Sequence, residues 1–404
     1  MGEVSQNEAV NAGHIAAAVD GDRVTNRLAE MVRTPSENPP GEEAAVAALV
    51  ASSCRDLGLE VTVHEKVEGR PNVVARWHGG EGPTLCFCSH FDVVPIGDPT
   101  LWERAPFGAE IEDGLMYGRG TSDAKGPIAA ALEAVAALKI NGWEPRGTLE
   151  LALVADEETM GFSGAGYLLD EGIIRPDVAV VGEPTSLRVV RAQRGASWLR
   201  VVTRGVAGHG SAPERGVNAI KHMSEIVLHL EATLPDITHE ILGGPSINVG
   251  RIGGGEKVNI IPASCWIEVD RRSIPGETEA TLIAGIEAAI SLASARFPDI
   301  DATVTVEQHA DPYEIPAASP VVVAAAASVA EVTGAPAELI GFRGASDARF
   351  IADTGADVIV LGPGDIGLAH TARESIELAE LERCAAVYAL TFARLLGGAL
   401  PGSP

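Results

Sequence analysis

Apolar positions along this chain fall into two alternating textures. Short runs rich in Val, Leu and Ile, such as Thr84 to Cys88, Leu149 to Val154, Val178 to Val181 and Val358 to Leu361, lack polar alternation, the mark of strands covered on both faces. Between them lie Ala-rich stretches, among them Ala129 to Leu138 and Val321 to Val332, which read as helices packed on such a sheet. The alternation predicts an α/β domain whose sheet is mixed, mostly parallel and flanked by helices.

A different texture runs from about Arg194 to Val306. Trp198 to Thr203 alternates, Ala219 to Leu230 is helix-like, Ser246 to Ile252 and Ser264 to Asp270 read as strands, and Glu277 to Ala295 is helix-like again. Two helices and about four strands predict a small α+β domain inserted into the larger one. The expected division is therefore 1–193 with 307–404 for the larger domain and 194–306 for the insert.

Composition narrows the function. With 404 residues and 46% apolar content the chain can bury a large core, and its length suits two domains. A net charge of -26 repels a phosphate backbone and no basic stripe offsets it, so nucleic acid is not an expected partner. Cys54, Cys86, Cys88, Cys265 and Cys384 show no paired C-x-x-C spacing and read as reduced core residues of a cytoplasmic protein. No basic segment leads into an apolar run at the N-terminus, and no apolar stretch reaches the ~18 residues of a membrane span, so no membrane partner is expected.

Five clusters carry candidate chemistry. Cys88-Ser-His-Phe-Asp-Val-Val-Pro95 leaves an apolar run where α/β proteins place their sites. Within it Asp92 could fix the second ring nitrogen of a metal-binding His90. By itself the pair is weak evidence and reads more readily as a loop histidine beside a solvated aspartate. Tyr117-Gly-Arg-Gly-Thr-Ser-Asp-Ala-Lys-Gly126 lacks the order of a phosphate loop, and Asp123 is either a ligand or a helix N-cap. Asp156-Glu-Glu158 crowds three acids, tolerable in water but needing a cation in a cleft. Val181-Gly-Glu-Pro-Thr185 and Gly362-Pro-Gly-Asp-Ile-Gly-Leu-Ala-His370 each put one ligand type beyond a strand. Five apolar strands each followed by His, Asp or Glu, with two histidines among several carboxylates, point to zinc in a hydrolytic site. Neither G-x-S-x-G nor H-E-x-x-H occurs, so serine hydrolases and that class of metalloprotease are excluded.

The succession S-H-x-D-V-V-P, Y-G-R-G-x-S-D-x-K-G-P, D-E-E, G-E-P-T, G-x-x-x-H-G-S, V-N-I-I-P and a late A-H, over residues 70 to 375, resembles the dinuclear metallohydrolases. These include acetylornithine deacetylase, succinyl-diaminopimelate desuccinylase, aminoacylase and glutamate carboxypeptidase. The resemblance implies a zinc-exopeptidase-like catalytic domain carrying a ferredoxin-like lid and dimerisation domain. It implies two divalent cations, zinc or cobalt, bridged by Asp123, with His90 and Glu183 completing one site and Glu158 and His370 the other. Glu157 becomes the general base, Asp92 the partner of His90, and His209 a residue reaching the active site of a partner subunit in a homodimer. Asn259 and Arg271 match positions that bind the substrate's carboxylate, and the peptide bond after Asp123 is expected to be cis. Glu183, in place of a histidine, argues against the carbamoyl-amino-acid hydrolases. The expected substrate is an N-acyl amino acid or a short peptide. Dipeptidase or carboxypeptidase activity on the same centre is the alternative, and a non-catalytic binding protein a remoter one. Gly344-Ala-Ser-Asp-Ala-Arg-Phe350 looks like the desuccinylases, whereas Gly362 to His370 looks like the deacetylases, and Arg373 stands where Asp or Asn commonly precedes the glutamate matching Glu374.

Overall fold

The computed structural model describes residues 13–397. The chain divides into two compact units, one built from residues up to Arg191 with 315–340 and those from Ser346 onward, the other from Ala192–Glu314 and Gly341–Ala345. The larger unit begins with β1 (Glu60–Glu65), β2 (Pro71–His78), β3 (Thr84–His90), β4 (Glu110–Glu112) and β5 (Leu115–Tyr117). It continues through β6 (Thr148–Val154), β7 (Val178–Val181) and β8 (Val189–Gln193). The insert holds β9 (Gly195–Arg204), β10 (Ser246–Gly254), β11 (Ser264–Ser273), β12 (Asp301–Ala310) and β13 (Tyr313–Glu314). After it come β14 (Leu339–Phe342), β15 (Asp357–Val360) and β16 (Ser375–Glu377).

Four parallel strands, β6, β3, β7 and β15, form the centre of the main sheet. Antiparallel β2 and β1 extend it beyond β6, and antiparallel β8 flanks β15. The parallel centre coincides with the unbroken apolar runs, because helices cover both faces there. Helix Lys125–Ile140 is buried from Lys125 through Leu138, packing against β3 and against helices Gly21–Val32 and Leu378–Leu396. Its mid-helix carboxylate, Glu133, is answered by Arg23 Nε at 2.7 Å and Arg27 Nη1 at 2.9 Å; alone it would be a costly buried charge. Phe87 of β3 meets Tyr388 at a 5.1 Å ring separation. The Tyr388 hydroxyl donates to the Leu361 carbonyl at 2.5 Å, pinning the chain where it leaves β15. A separate small sheet, β16-β5-β4, ties residues 375–377 to 115–117.

The insert is an antiparallel sheet in the order β10-β11-β9-β12. Burial on β11 alternates residue by residue, as a sheet with one covered face requires. Helices Ala219–His229 and Glu279–Ser294 pack on the sheet, and Leu199, Val201, Met223, Ile226, Ile267 and Ile286 form the core between them. The insert's chain returns beside its own start, with Tyr313 opposite Gln193 and Glu314 opposite Ala192. All five cysteines are buried free thiols. Among the described residues no helix is long and apolar enough to cross a membrane.

Candidate metal centre

His90 is the last residue of β3, Glu157 and Glu158 lie on the turn after β6, Glu183 follows β7, and His370 lies in the loop after β15. Four of the five expected strand-end positions are thus strand ends of one sheet. Asp123 differs: it follows the short β5 and a glycine-rich turn, and immediately precedes helix Lys125–Ile140. The cap position of that helix is Ala124, which makes no side-chain capping bond, so the Asp123 carboxylate is free to face elsewhere. The Asp123–Ala124 peptide bond is cis.

The two Asp123 oxygens face two different histidines. Oδ1 lies 3.2 Å from His90 Nε2 and Oδ2 lies 3.3 Å from His370 Nε2. Glu183 Oε1 stands 3.7 Å from His90 Nε2, and Glu158 Oε2 3.1 Å from His370 Nε2. Glu157 Oε2 lies 3.8 Å from His90 Nε2. Ligand atoms of His90, Asp123 and Glu158 fall within 4.8 Å of one another, as do those of His90, Glu157 and Glu183. Glu183 Oε1 is buried without a hydrogen-bond partner.

The electrostatics follow from crowding acids out of water. Burial pushes Glu183 up to about 7. Burial likewise lifts Glu157 well above the usual carboxylate range, His90 opposing and Glu183, Asp347 and Glu158 adding to it. Glu158 is raised by burial and by Asp123. Asp123 goes the other way: burial opposes its charge, but hydrogen bonds to His370 and His90 hold it well below that range. His370 is raised to about 10 by its bonds to Asp123 and Glu158. Burial disfavours a charged His90, yet the neighbouring Asp123, Asp92 and Glu183 carboxylates outweigh that and raise it. A cluster of carboxylates and imidazoles this close calls for positive charge in its midst, and divalent cations fit that donor set.

An outer ring of hydrogen bonds fixes the clustered side chains. His90 Nδ1 lies 3.0 Å from the Asp92 carbonyl and 3.4 Å from its Oδ1. The fully buried Asp92 carboxylate also accepts the N–H groups of Glu157 at 3.3 Å and Glu158 at 3.2 Å. Asn38 Nδ2 donates to Asp92 Oδ2 at 2.8 Å and to Thr159 Oγ1 at 2.9 Å. The first acid of Asp156-Glu-Glu158 has a separate task. Asp156, at φ +75°, accepts Arg70 Nη1 at 2.8 Å and the Ser163 N–H at 2.8 Å, holding the turn that carries the other two. His370 also adopts a left-handed backbone, φ +61°, rare for a residue with a side chain. Gly362 lets its loop approach the site, since a Cβ there would sit 2.4 Å from the Glu183 carbonyl oxygen. Sequence patterns did not single out Asn38, whose partners are 54 and 121 residues away.

The other three anticipated residues belong to the insert. His209 is exposed, and its Nδ1 accepts the Ser211 N–H at 3.2 Å with Ser211 Oγ at 2.6 Å. Nδ1 being the acceptor, a neutral ring carries its proton on Nε2. Asn259 is adjacent, its carbonyl accepting the Gly210 N–H at 2.9 Å. Arg271 on β11 is buried and pairs with Glu277, whose other oxygen accepts the Ile274 N–H at 3.0 Å.

Comparison with known proteins agrees with this geometry. The family model described as peptidase family M20/M25/M40 matches residues 86–394. An acetylornithine deacetylase of Proteus mirabilis (strain HI4320) is 32% identical over 367 residues, covering 87% of this chain and 92% of that protein. The crystal structure of aminopeptidase PepT from Bacillus cereus ATCC 10987 superposes with a TM-score of 0.78 at 25% identity, covering 94% of this chain and 99% of that one. An M20 family metallo-carboxypeptidase, Sso-CP2 from Sulfolobus solfataricus, shares the fold with a TM-score of 0.77 at 21% identity, over 93% of this chain and 99% of that one. With the match running through every strand end that bears a clustered carboxylate or imidazole, the chain belongs to peptidase family M20/M25/M40 and is a metal-dependent amide hydrolase.

Proposed function

We propose that this protein hydrolyses the amide bond of an N-acyl amino acid, as a deacetylase or desuccinylase does, using two divalent cations, zinc or cobalt. His90, Asp123 and Glu183 would hold one cation, and His370, Asp123 and Glu158 the other. The observation that carries this reading is the Asp123 carboxylate, whose two oxygens face separate histidines at 3.2 and 3.3 Å, the arrangement a bridging ligand needs. Bound there, the cations would polarise the amide carbonyl and lower the pKa of a water between them. Glu157 would take that water's proton on its carboxylate and return it to the leaving nitrogen. Asp92 would hold the His90 ring in orientation through Nδ1. The 32% identity to a protein named acetylornithine deacetylase supports the acyl-amino-acid substrate. Likeness to aminopeptidase PepT keeps a peptidase as the second reading.

On the insert, His209 would donate from Nε2 to the oxyanion in the active site of a partner subunit, and Asn259 and Arg271 would bind the substrate carboxylate. A homodimer would need a surface free of like-charge repulsion. Edge strand β10, Ser246–Gly254, carries no acid, and Leu228 and Ile252 are 73% and 60% exposed. A bulge between Val249 and Arg251 interrupts its register with β11, but as the terminal strand of its sheet β10 would still offer backbone groups for strand pairing. The reduced cysteines suit the cytoplasm.

The test is a substrate panel with dialysed protein and metal added back. N-acetyl, N-succinyl and N-formyl amino acids are compared with di- and tripeptides. Turnover of an N-acyl amino acid, restored by metal in a curve saturating near two equivalents, is the expected result. Turnover of peptides alone would shift the assignment to the peptidase, and activity in fully demetallated protein would overturn both.

A further inference from the structure

Two of the clustered side chains come from loops far apart in sequence: Asp123 from the turn after β5, and His370 from the loop after β15. Between these loops lies a carboxylate that faces neither histidine. Glu374 is 1% exposed. Its Oε1 accepts three backbone N–H groups of the first loop, from Gly120 at 2.9 Å, Ser122 at 3.2 Å and Asp123 itself at 3.2 Å. Its Oε2 takes Arg119 Nη1 at 2.5 Å, and the same nitrogen reaches the carbonyl of Thr371, next to His370, at 3.3 Å. Backbone bonds run alongside, from Gly118 N to the Glu374 carbonyl at 3.1 Å and from Ser122 Oγ to the Ser375 carbonyl at 2.9 Å.

We propose that Glu374 and Arg119 are positioning residues that set the separation of Asp123 and His370, and through it the affinity of the cation position formed by His370, Asp123 and Glu158. The inference rests on the two-cation reading above. Charge-assisted bonds to a buried carboxylate are among the strongest and most directional a loop can make. Here three of them converge on the peptide groups leading into Asp123, while the guanidinium that neutralises the carboxylate grips the residue after His370. The two ends of the cluster are held differently. His90 is oriented by Asp92, itself held by Asn38, and neither makes a bond to Glu374. Asp123 keeps a second, weaker hold, because the Ser89 hydroxyl proton is shared between the Gly182 carbonyl at 2.9 Å and the Ala124 carbonyl at 3.3 Å. His370 is 54% exposed on a left-handed backbone, so loss of the Glu374–Arg119 link falls mainly on its end.

The test is stepwise titration of demetallated protein with Co(II), followed by calorimetry and by the visible absorption of the bound ion, in wild type, Glu374→Ala, Glu374→Gln and Arg119→Lys. Glu374→Ala should keep the first binding step within about threefold and weaken the second by ~10–100-fold, the usual effect of removing an outer hydrogen-bond partner. Glu374→Gln retains an oxygen for the N–H groups and should restore most of the second step. Arg119→Lys should weaken the second step alone. If Glu374→Ala does not fold, the Gln and Lys variants decide. Two wild-type steps in all the variants that fold would overturn the proposal, and so would equal weakening of both steps, which marks a merely structural role. Failure of wild type to bind Co(II) removes the proposal with the reading beneath it, and is told apart because the unmutated protein fails too.

Discussion

The two units place their candidate residues in opposite circumstances. In the larger unit, His90, Asp123, Glu157, Glu158 and Glu183 are buried or nearly so, and each faces another charged group of the cluster within 4 Å. His370 joins them from a more exposed loop. In the insert, His209 and Asn259 stand exposed on adjoining loops, while Arg271 is buried and already paired with Glu277. The clustered groups mark a site by their own proximity. In the insert the His209 side chain is bonded to the neighbouring Ser211 instead.

That contrast is sharpened first at Glu157, where the largest effect is expected. Glu157→Gln should lower kcat by ~10²–10⁴-fold while metal content by elemental analysis stays at the wild-type value. Loss of metal along with activity would make Glu157 a ligand instead of a base.

His209→Ala should lower kcat by ~10²–10³-fold, the usual effect of losing an oxyanion donor, and leave metal content unchanged. Mixing it with Glu157→Ala tests whether it acts between subunits. A heterodimer then carries one site lacking both residues and one lacking neither, so activity should partly return. Verified heterodimers that stay inactive would break the assignment of His209 to a neighbour's site.

Asn38→Ala removes the donor behind Asp92 and Thr159 and should weaken metal affinity or activity by ~10–100-fold, read from a competition titration with a coloured chelator. The smallest effect is expected at Arg271. Its replacement by Lys cannot copy a bidentate grip on a carboxylate and should raise KM by about tenfold, as loss of one charged hydrogen bond predicts, with kcat little changed. Equal turnover of free-acid and amidated substrates by wild type would remove Arg271 from recognition and leave it a structural partner of Glu277.

Sequence was most informative where burial erases alternation. β3, β6, β7 and β15 announce themselves as unbroken apolar runs because helices cover both faces, and the candidate His and acid positions at their ends follow from where such strands stop. Asp123 was legible as a residue, yet its setting beside a helix start is not a strand end, and its roles as cap and as ligand separate only in three dimensions. Asn38, Arg119 and Glu374 mark the limit. The groups Glu374 holds are mostly backbone N–H donors about 250 residues away, and a backbone donor leaves no trace in side-chain pattern. The first acid of Asp156-Glu-Glu158 was likewise indistinguishable from its neighbours until Arg70 appeared beside it.

The pairing of Gln193 with Tyr313 and of Ala192 with Glu314 has a consequence for how such a chain folds and diversifies. Residues opposite each other in an antiparallel pair are about 5 Å apart, so the long segment of the insert, Ala192–Glu314, begins and ends at almost one point. To the rest of the chain it is the loop of a hairpin. Once those two strands pair, the loop-closure entropy is already spent, and lengthening or shortening the segment between them changes it only logarithmically. A lineage can therefore enlarge or shorten this segment at little entropic cost, and a graft of one relative's insert onto another's metal-binding body has to carry Gly341–Ala345 together with the stretch between 193 and 313.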